Sequence, residues 1–361
     1  MTNYSQDEKI LIALSQFVFL YENRFHLLIK KYINPQNILE AIFNREQFIC
    51  SILNNNQINE IIENCTEEKI KSYLKNLESL NIICTTYLSQ TYPKLLKETP
   101  DFPIVLYLKG DVSLLKKDSV AIVGTRNPTN YGRGVTHTFS KNLARAGLVI
   151  VSGMSTGVDK IAHEACLEVG GKTIAVLGGG FNKIYPAVNF NLSIEISKKG
   201  LLVSEYAPSA TPQRYTFPAR NRIIAGLTLG TLITEASEKS GSLYTKEYAL
   251  DYNRNLYLLP GNITSSMSIA NNKMIKSCQG MCVISYEDIL NDLGFEGLKK
   301  ETAIQLGINE KMILDIIEKE ETHFDVLLSI TNLEPKILNS CLTTMCIRGI
   351  IRKLPGNFYS V

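Results

Sequence analysis

Between residues 120 and 285 the chain repeats one pattern, a short continuously apolar run followed by a stretch compatible with a helix. The runs are VAIVG (120–124), LVIVSG (148–153), TIAVLGGG (173–180), LLVSEY (201–206), TLITEA (231–236), LYLLPG (256–261) and MCVIS (281–285). Helix-compatible stretches lie between them at 131–146, 158–169, 189–199, 240–253 and 271–277. A strand with one wet face alternates apolar and polar residues, whereas a strand apolar throughout is covered on both faces. Such strands separated by helices predict an α/β domain, an extended Rossmann-like, doubly wound, mostly parallel sheet. We assign it residues 90–295, entered through a strand candidate at Ile104–Leu108 that Gly110 closes.

Two smaller domains flank it. Residues 1–80 read as several short helices, because Ile10, Leu11, Leu14, Phe17 and Val18 recur at helical spacing, as do Ile38, Ala41, Ile42 and Ile49. A charged connector near 295–311 leads to residues 305–361, which read as three helices and two short strands (350–354 and 357–361) around Pro355-Gly356. That order predicts a small winged helix-turn-helix.

In an open parallel sheet, ligands bind beyond the carboxyl ends of the strands, and most polar signals of this chain fall there. The 120–124 run leads into Gly124-Thr125-Arg126 just before a helix start, where free N–H groups and an arginine fork suit phosphate oxygens. The 148–153 run ends at Ser152-Gly153, followed by Ser155, Thr156, Gly157 and Asp159. Asp159 is a candidate helix cap, and His163, one turn further on, is placed to bond it within the helix. After 231–236 comes Lys239-Ser240-Gly241-Ser242, a second anion-cradling helix start that lacks the G-x-x-x-x-G-K of a Walker loop.

The densest signal is Phe217-Pro218-Ala219-Arg220-Asn221-Arg222, preceded by Arg214 and Tyr215. Basic residues interleaved with rings on one side of an extended segment suit a single-stranded nucleic acid, whose backbone needs charge and whose unpaired bases need stacking faces. Phe217 has a second reading as a core plug, and Arg222 one as a buried ion-pair partner. No carboxylate pair, Ser-His-Asp set or activated cysteine accompanies these turns, so the site reads as one that binds without catalysis. No acidic residue closes the 148–153 run as an NAD ribose site requires, and no cofactor is expected.

Composition narrows the setting. The net charge is +3, but residues 120–280 hold 17 Lys+Arg against 9 Asp+Glu. That excess fits a polyanionic partner or simply a basic domain. Eight cysteines without a C-x-x-C, and four histidines away from them, argue against disulfides and metal and for a reducing cytoplasm. No apolar run approaches the roughly 20 residues of a membrane span.

Val120–Arg126, Ser152–Asp159 with Ala162-His163, Ala175–Gly180 with Tyr185-Pro186, Phe217–Ile224, Lys239–Leu243 and Pro260-Gly261 together resemble the DNA-processing protein family DprA, also called Smf. The resemblance spans about 92–290 in the right order. It implies a cytoplasmic, non-enzymatic protein of natural transformation that binds single-stranded DNA without strong sequence preference, protects it and helps load the RecA recombinase. It also implies a homodimer through the Rossmann-like domain, with single-strand-binding protein as a further candidate partner. Carried over by position, the DNA-binding set is Gly124, Thr125, Arg126, Gly153, Arg214, Phe217, Arg220, Asn221, Lys239, Ser240, Gly241 and Ser242.

The chain departs from the family pattern in three places. Where members commonly read G-x-N-x-L-I-x-x-G-A, residues 270–279 carry neither glycine, which puts the turn in question. Phe17–Asn23 lacks the glycine of a helix-hairpin-helix. Over 300–361, 7 basic residues face 8 acidic ones, so a protein-docking or autoregulatory role suits the tail as well as groove binding. The alternative reading is a nucleoside-monophosphate phosphoribohydrolase of the lysine-decarboxylase-like family. Its P-G-G-x-G-T-x-x-E block is absent here, since Gly178–Gly180 and Gly230-Thr231 lie about fifty residues apart.

Overall fold

In the computed structural model, which describes residues 4–21, 23–295 and 306–360, the apolar runs supply seven strands of a nine-stranded sheet. Its strands are β1 (Ile83–Thr86), β2 (Val105–Gly110), β3 (Ser119–Val123), β4 (Val149–Ser152), β5 (Thr173–Leu177), β6 (Leu201–Ser204), β7 (Gly230–Ile233), β8 (Asn255–Leu258) and β9 (Met281–Cys282). The order is β1-β2-β6-β5-β4-β3-β7-β8-β9. β3 to β9 run parallel, and β1 and β2 add an antiparallel margin.

Burial on both faces explains the missing alternation. In β3, Val120 and Ile122 join one core with Phe139, Leu143, Val158 and Ala162 of the helices Asn130–Arg145 and Val158–Glu168. Ala121 and Val123 join the other core with Ile223 and Ile224 of the helix Thr216–Gly226. The winding sets the position of the site. From β3 the chain steps outward through β4, β5 and β6, then returns to place β7 on the other side of β3. The topological switch point therefore lies between β3 and β7, where the connections diverge and leave a crevice.

The amino-terminal helices, from Gln6–Leu14 to Glu67–Ser79, share a core with Ile104, Val105, Tyr107 and Ala207. Residues 1–297 accordingly form one compact unit. The sequence pattern does not reveal β1, whose ICTT is short and half polar.

Residues 298–361 form a second unit with its own core around Ile313, Leu327, Leu338, Leu342 and Tyr359. It contains the helices Ile308–Ile317, Phe324–Thr331 and Pro335–Ile347 and the strands β10 (Thr322–His323), β11 (Arg352–Leu354) and β12 (Phe358–Ser360), ordered β10-β12-β11. Most of the expected charged connector lies outside the described residues.

Candidate functional site

At the switch point a cavity of about 590 Å3 opens at the carboxyl edge of the sheet. Eleven of the twelve expected residues line it, namely Gly124, Thr125, Arg126, Arg214, Phe217, Arg220, Asn221, Lys239, Ser240, Gly241 and Ser242. They come from three connections at the sheet edge and the helix starts that follow two of them, and the fold is what brings them together.

The loop after β3 is tied down from within. Thr125 N–H bonds the Glu235 carbonyl (2.8 Å), and the buried Glu235 carboxylate accepts from Thr129 N–H (2.8 Å) and from its hydroxyl (2.6 Å). Thr129 in turn caps the helix Asn130–Arg145. The Thr125 hydroxyl accepts from Asn127 N–H (3.2 Å), and Arg126 and Asn127 are the exposed groups of this turn.

The FPARNR segment is helical, which corrects the extended reading. The helix Thr216–Gly226 begins one residue before Phe217. Tyr215 and Phe217 therefore do not share one side; Phe217 faces the cavity and Tyr215 is absent from its wall. The Phe217 ring is half-buried, lies 5.3 Å from the Tyr185 ring and rests over Gly178, where a Cβ would come within 2.8 Å of it. It is partly plug and partly exposed face.

Arg220 and Arg222 turn inward. Arg220 is 3% exposed, and its Nη1 donates to the carbonyls of Gly153 (2.5 Å) and Val176. Burial lowers its guanidinium to about 10, with Asp159 opposing that shift, so it stays charged near neutrality. Asp159 is raised by its own burial and held down by Arg220. Gly153 lies behind the wall, outside the cavity lining, where a Cβ would meet Arg220 Nη2 at 2.7 Å and Asp159 Oδ2 at 2.8 Å. Arg222 points away, and its Nη2 donates to both carboxylate oxygens of Glu205 (2.6 and 2.7 Å), the ion pair that was one of its two readings.

The expected Asp159–His163 bond is replaced by two others. Asp159 accepts from Ser155 N–H (3.2 Å), while the fully buried His163 pairs through Nδ1 with the Thr173 hydroxyl (2.6 Å).

The third loop leads into the helix Ser242–Asp251, with Ser240 Oγ 2.8 Å from Ser242 Oγ and Asn221 Nδ2 donating to the Gly241 carbonyl (3.3 Å). Lys239 is exposed at its rim. The cavity is thus lined by four cations, Arg126, Arg214, Arg220 and Lys239, against the single carboxylate of Asp159. Three of the cations are exposed, and such a surplus beside helix N-termini attracts anions. The sequence reading missed Tyr244, which is 53% exposed in the wall. Its only sequence signal is a ring two residues into a helix start. Among the described residues no cluster of His, Cys, Asp and Glu could hold a metal ion, and no helix is long and apolar enough to cross a membrane.

The 270–279 stretch keeps its turn without glycine. Cys278 adopts φ +53°, the left-handed conformation glycine favours. Its N–H bonds Ile275 O (3.1 Å) and Gln279 N–H bonds Met274 O (3.0 Å), the two bonds of a Schellman cap on the helix Ile269–Lys276. Asn271 of that helix donates to the carbonyls of Ile233 (2.9 Å), Thr234 (3.2 Å) and Leu259 (3.0 Å), tying the ends of β7 and β8 together.

Fold and site define a doubly wound α/β protein with a basic, aromatic-walled cavity at its switch point. The chain belongs to the family described as DNA recombination-mediator protein A, whose profile matches residues 83–294. This is the family that the motifs resemble. The DNA processing protein DprA of Bacillus subtilis (strain 168) is 43% identical over 207 residues, covering 57% of this chain and 69% of that protein. The X-ray structure of DprA from Streptococcus pneumoniae aligns with a TM-score of 0.58 at 34% identity, over 74% of this chain and 96% of that one. DNA processing protein A from Helicobacter pylori, described by its single-stranded DNA binding mode, aligns with a TM-score of 0.54 at 34% identity, over 59% and 97%.

Proposed function

We propose that this chain binds single-stranded DNA without strong sequence preference in the switch-point cavity, acts in the cytoplasm to protect incoming DNA during natural transformation, and helps load RecA for homologous recombination. One observation carries the reading: three exposed cations, Arg126, Arg214 and Lys239, line the same cavity as the Phe217–Tyr185 ring pair. Charge and a stacking face in one cavity suit an unpaired strand and give duplex no comparable advantage. The relative whose structure is described by single-stranded DNA binding supports the same reading. The site binds and does not transform. Of the described residues lining it, the one carboxylate is Asp159, already engaged with Ser155 and facing Arg220, and this disfavours a phosphoribohydrolase.

The division into a helical domain (1–80), a Rossmann-like domain (90–295) and a winged-helix domain (305–361) belongs to the same proposal. In the tail, Arg348 pairs with Glu310 (3.1 Å), which favours protein docking over groove reading. A homodimer through the Rossmann-like domain is supported by the β9 edge, where Met281 and Ile284 are 42% and 80% exposed.

The test is fluorescence anisotropy with a labelled single strand and the matching duplex at one salt concentration. The single strand should bind more tightly. Equal affinity, or release of ribose 5-phosphate from AMP, sinks the reading. RecA filament growth on strands coated with single-strand-binding protein, with and without this chain, tests the loading step.

A further inference from the structure

We propose that the cleft between the amino-terminal helices and the sheet is a nucleobase subsite for the strand whose backbone lies in the switch-point cavity. The proposal rests on the single-strand reading above and adds a second place of contact.

The cleft encloses about 560 Å3 and shares two helices with the first cavity. In the helix Thr216–Gly226, Phe217, Asn221 and Ile224 face the switch point, while Ala219 and Arg222, with the capping Tyr215, face the cleft. In the helix Ser242–Asp251, Ser242, Tyr244 and Thr245 face the first cavity and Tyr248 the second. Tyr244 and Tyr248 stand at i and i+4, one turn apart on one helix face. Tyr215, 54% exposed, and Tyr244, 53% exposed, are the rings a strand meets on passing from one space to the other. Tyr248 is backed by Tyr252, stacked at 5.8 Å between centroids.

Charge separates the two spaces. The switch-point cavity has a surplus of cations. In the cleft, Arg24 and Arg222 face Asp101 and Glu205, and burial lowers His26 toward its neutral form. A balanced wall does not attract phosphate. It suits a flat, uncharged ligand that carries donors and acceptors on its edge, and aromatic walls suit its faces.

The wall also holds an unmet need. Arg222 spends Nη2 on Glu205, its Nε lies 3.7 Å from Asp101, and its buried Nη1 has no hydrogen-bond partner. A buried donor left unpaired costs free energy, and a base carbonyl or ring nitrogen would satisfy it. A base on the strand and a free nucleotide offer this chemistry alike. The shared helices favour the base on the strand.

The experiment uses the full chain and fluorescein-labelled oligo-dT of increasing length at fixed salt, with Tyr248→Ala and Ala219→Leu as variants. The first removes a ring, and the second fills the cleft from the helix while every ring is kept. Strands of about four nucleotides, near the lower end of site sizes for single-strand binders, should bind wild type and variants alike. Longer strands should bind wild type more tightly, and both variants should lose about tenfold of that gain. A 2-aminopurine walked along the long strand should be quenched in wild type at one position beyond the short-strand footprint, and not in the variants. Variants that match wild type at every length overturn the subsite while leaving the single-strand reading intact. Failure of wild type to bind any strand overturns that reading itself. Saturable binding of free thymidine monophosphate, abolished by Ala219→Leu, with no length dependence, overturns the strand-borne base. Should Tyr248→Ala fail to fold by circular dichroism, Ala219→Leu alone decides.

Discussion

Replacing Arg126 and Arg220 in parallel separates gripping from scaffolding, because the two guanidiniums line one cavity yet face different partners. Arg126, Arg214 and Lys239 are exposed, whereas Arg220 is 3% exposed and donates to two carbonyls. Only the exposed three are placed to displace counterions from a strand. At about 0.7 per phosphate contact on a single strand, three contacts give a slope of log K against log salt near −2, or about 20-fold weaker binding between 50 and 200 mM salt. Arg126→Ala should reduce the slope to about −1.4. Arg220→Met keeps the shape, removes the charge and leaves the carbonyls of Gly153 and Val176 without their donor. Each buried polar group left unpaired in this way costs about 1–3 kcal/mol of stability. Thermal melting should therefore drop sharply in Arg220→Met while its salt slope stays near −2 in the folded fraction. Anisotropy of a labelled oligo-dT across the salt series, with melting followed by circular dichroism, reads both quantities. A wild-type slope retained in Arg126→Ala, or one lowered by Arg220→Met, would refute the division of roles.

Four further outcomes follow from the geometry. Phe217→Ala should weaken strand binding by about 1–3 kcal/mol with the salt slope unchanged, since a stacking face carries no counterion. Gly153→Ala places a Cβ 2.7 Å from Arg220 Nη2, and chemical denaturation should show a loss of about 1–3 kcal/mol as the guanidinium shifts. Cys278→Gly relieves the left-handed φ of +53° and should add about 1 kcal/mol in the same assay. His163 is lowered to about 3, first by burial and then by Arg220. The unfolded chain therefore takes up its proton first as pH falls. Its contribution to stability is intact above about 6.5 and should drop by about 2 kcal/mol between pH 7.5 and 5, a dependence that His163→Gln flattens.

Much of the fold is legible in the sequence because burial on both faces leaves a mark on the inner strands. β3 to β8 fall within apolar runs, since each sends alternate residues into two cores. β1 is not legible, as four residues at the antiparallel margin carry no such mark. The site is legible as a set of turns, for the carboxyl edge is where glycine, serine and arginine collect. Side-chain direction within it is not. Nothing in FPARNR indicates that Arg220 reaches the carbonyls of Gly153 and Val176, residues 67 and 44 positions away. The helix over 216–226 is hidden by Pro218, which residues outside a first helical turn would not tolerate. At 270–279 the lost glycines suggest a changed turn, yet Cys278 holds the left-handed backbone that glycine favours because the Schellman bonds and the Asn271 anchor fix it from both sides.

The inward turn of both motif arginines explains why so much charge stands where so little of it meets solvent. Arg220 closes the ends of β4 and β5 through two carbonyls, and Arg222 closes the segment after β6 through Glu205. Arg220 works from two nitrogens at once, Nη1 on the two carbonyls and Nε on Asn221 Oδ1 (3.2 Å), and the single nitrogen of an ammonium cannot span both. Arg220→Lys is therefore not conservative, whereas Arg126→Lys, at an exposed position, keeps the charge that a phosphate needs. The motif shapes the cavity, and the loops on either side of it supply the cations that face a strand. Function then depends on the motif twice over: directly through Phe217, and indirectly because Arg220 and Arg222 hold together the strand ends on which the site is built.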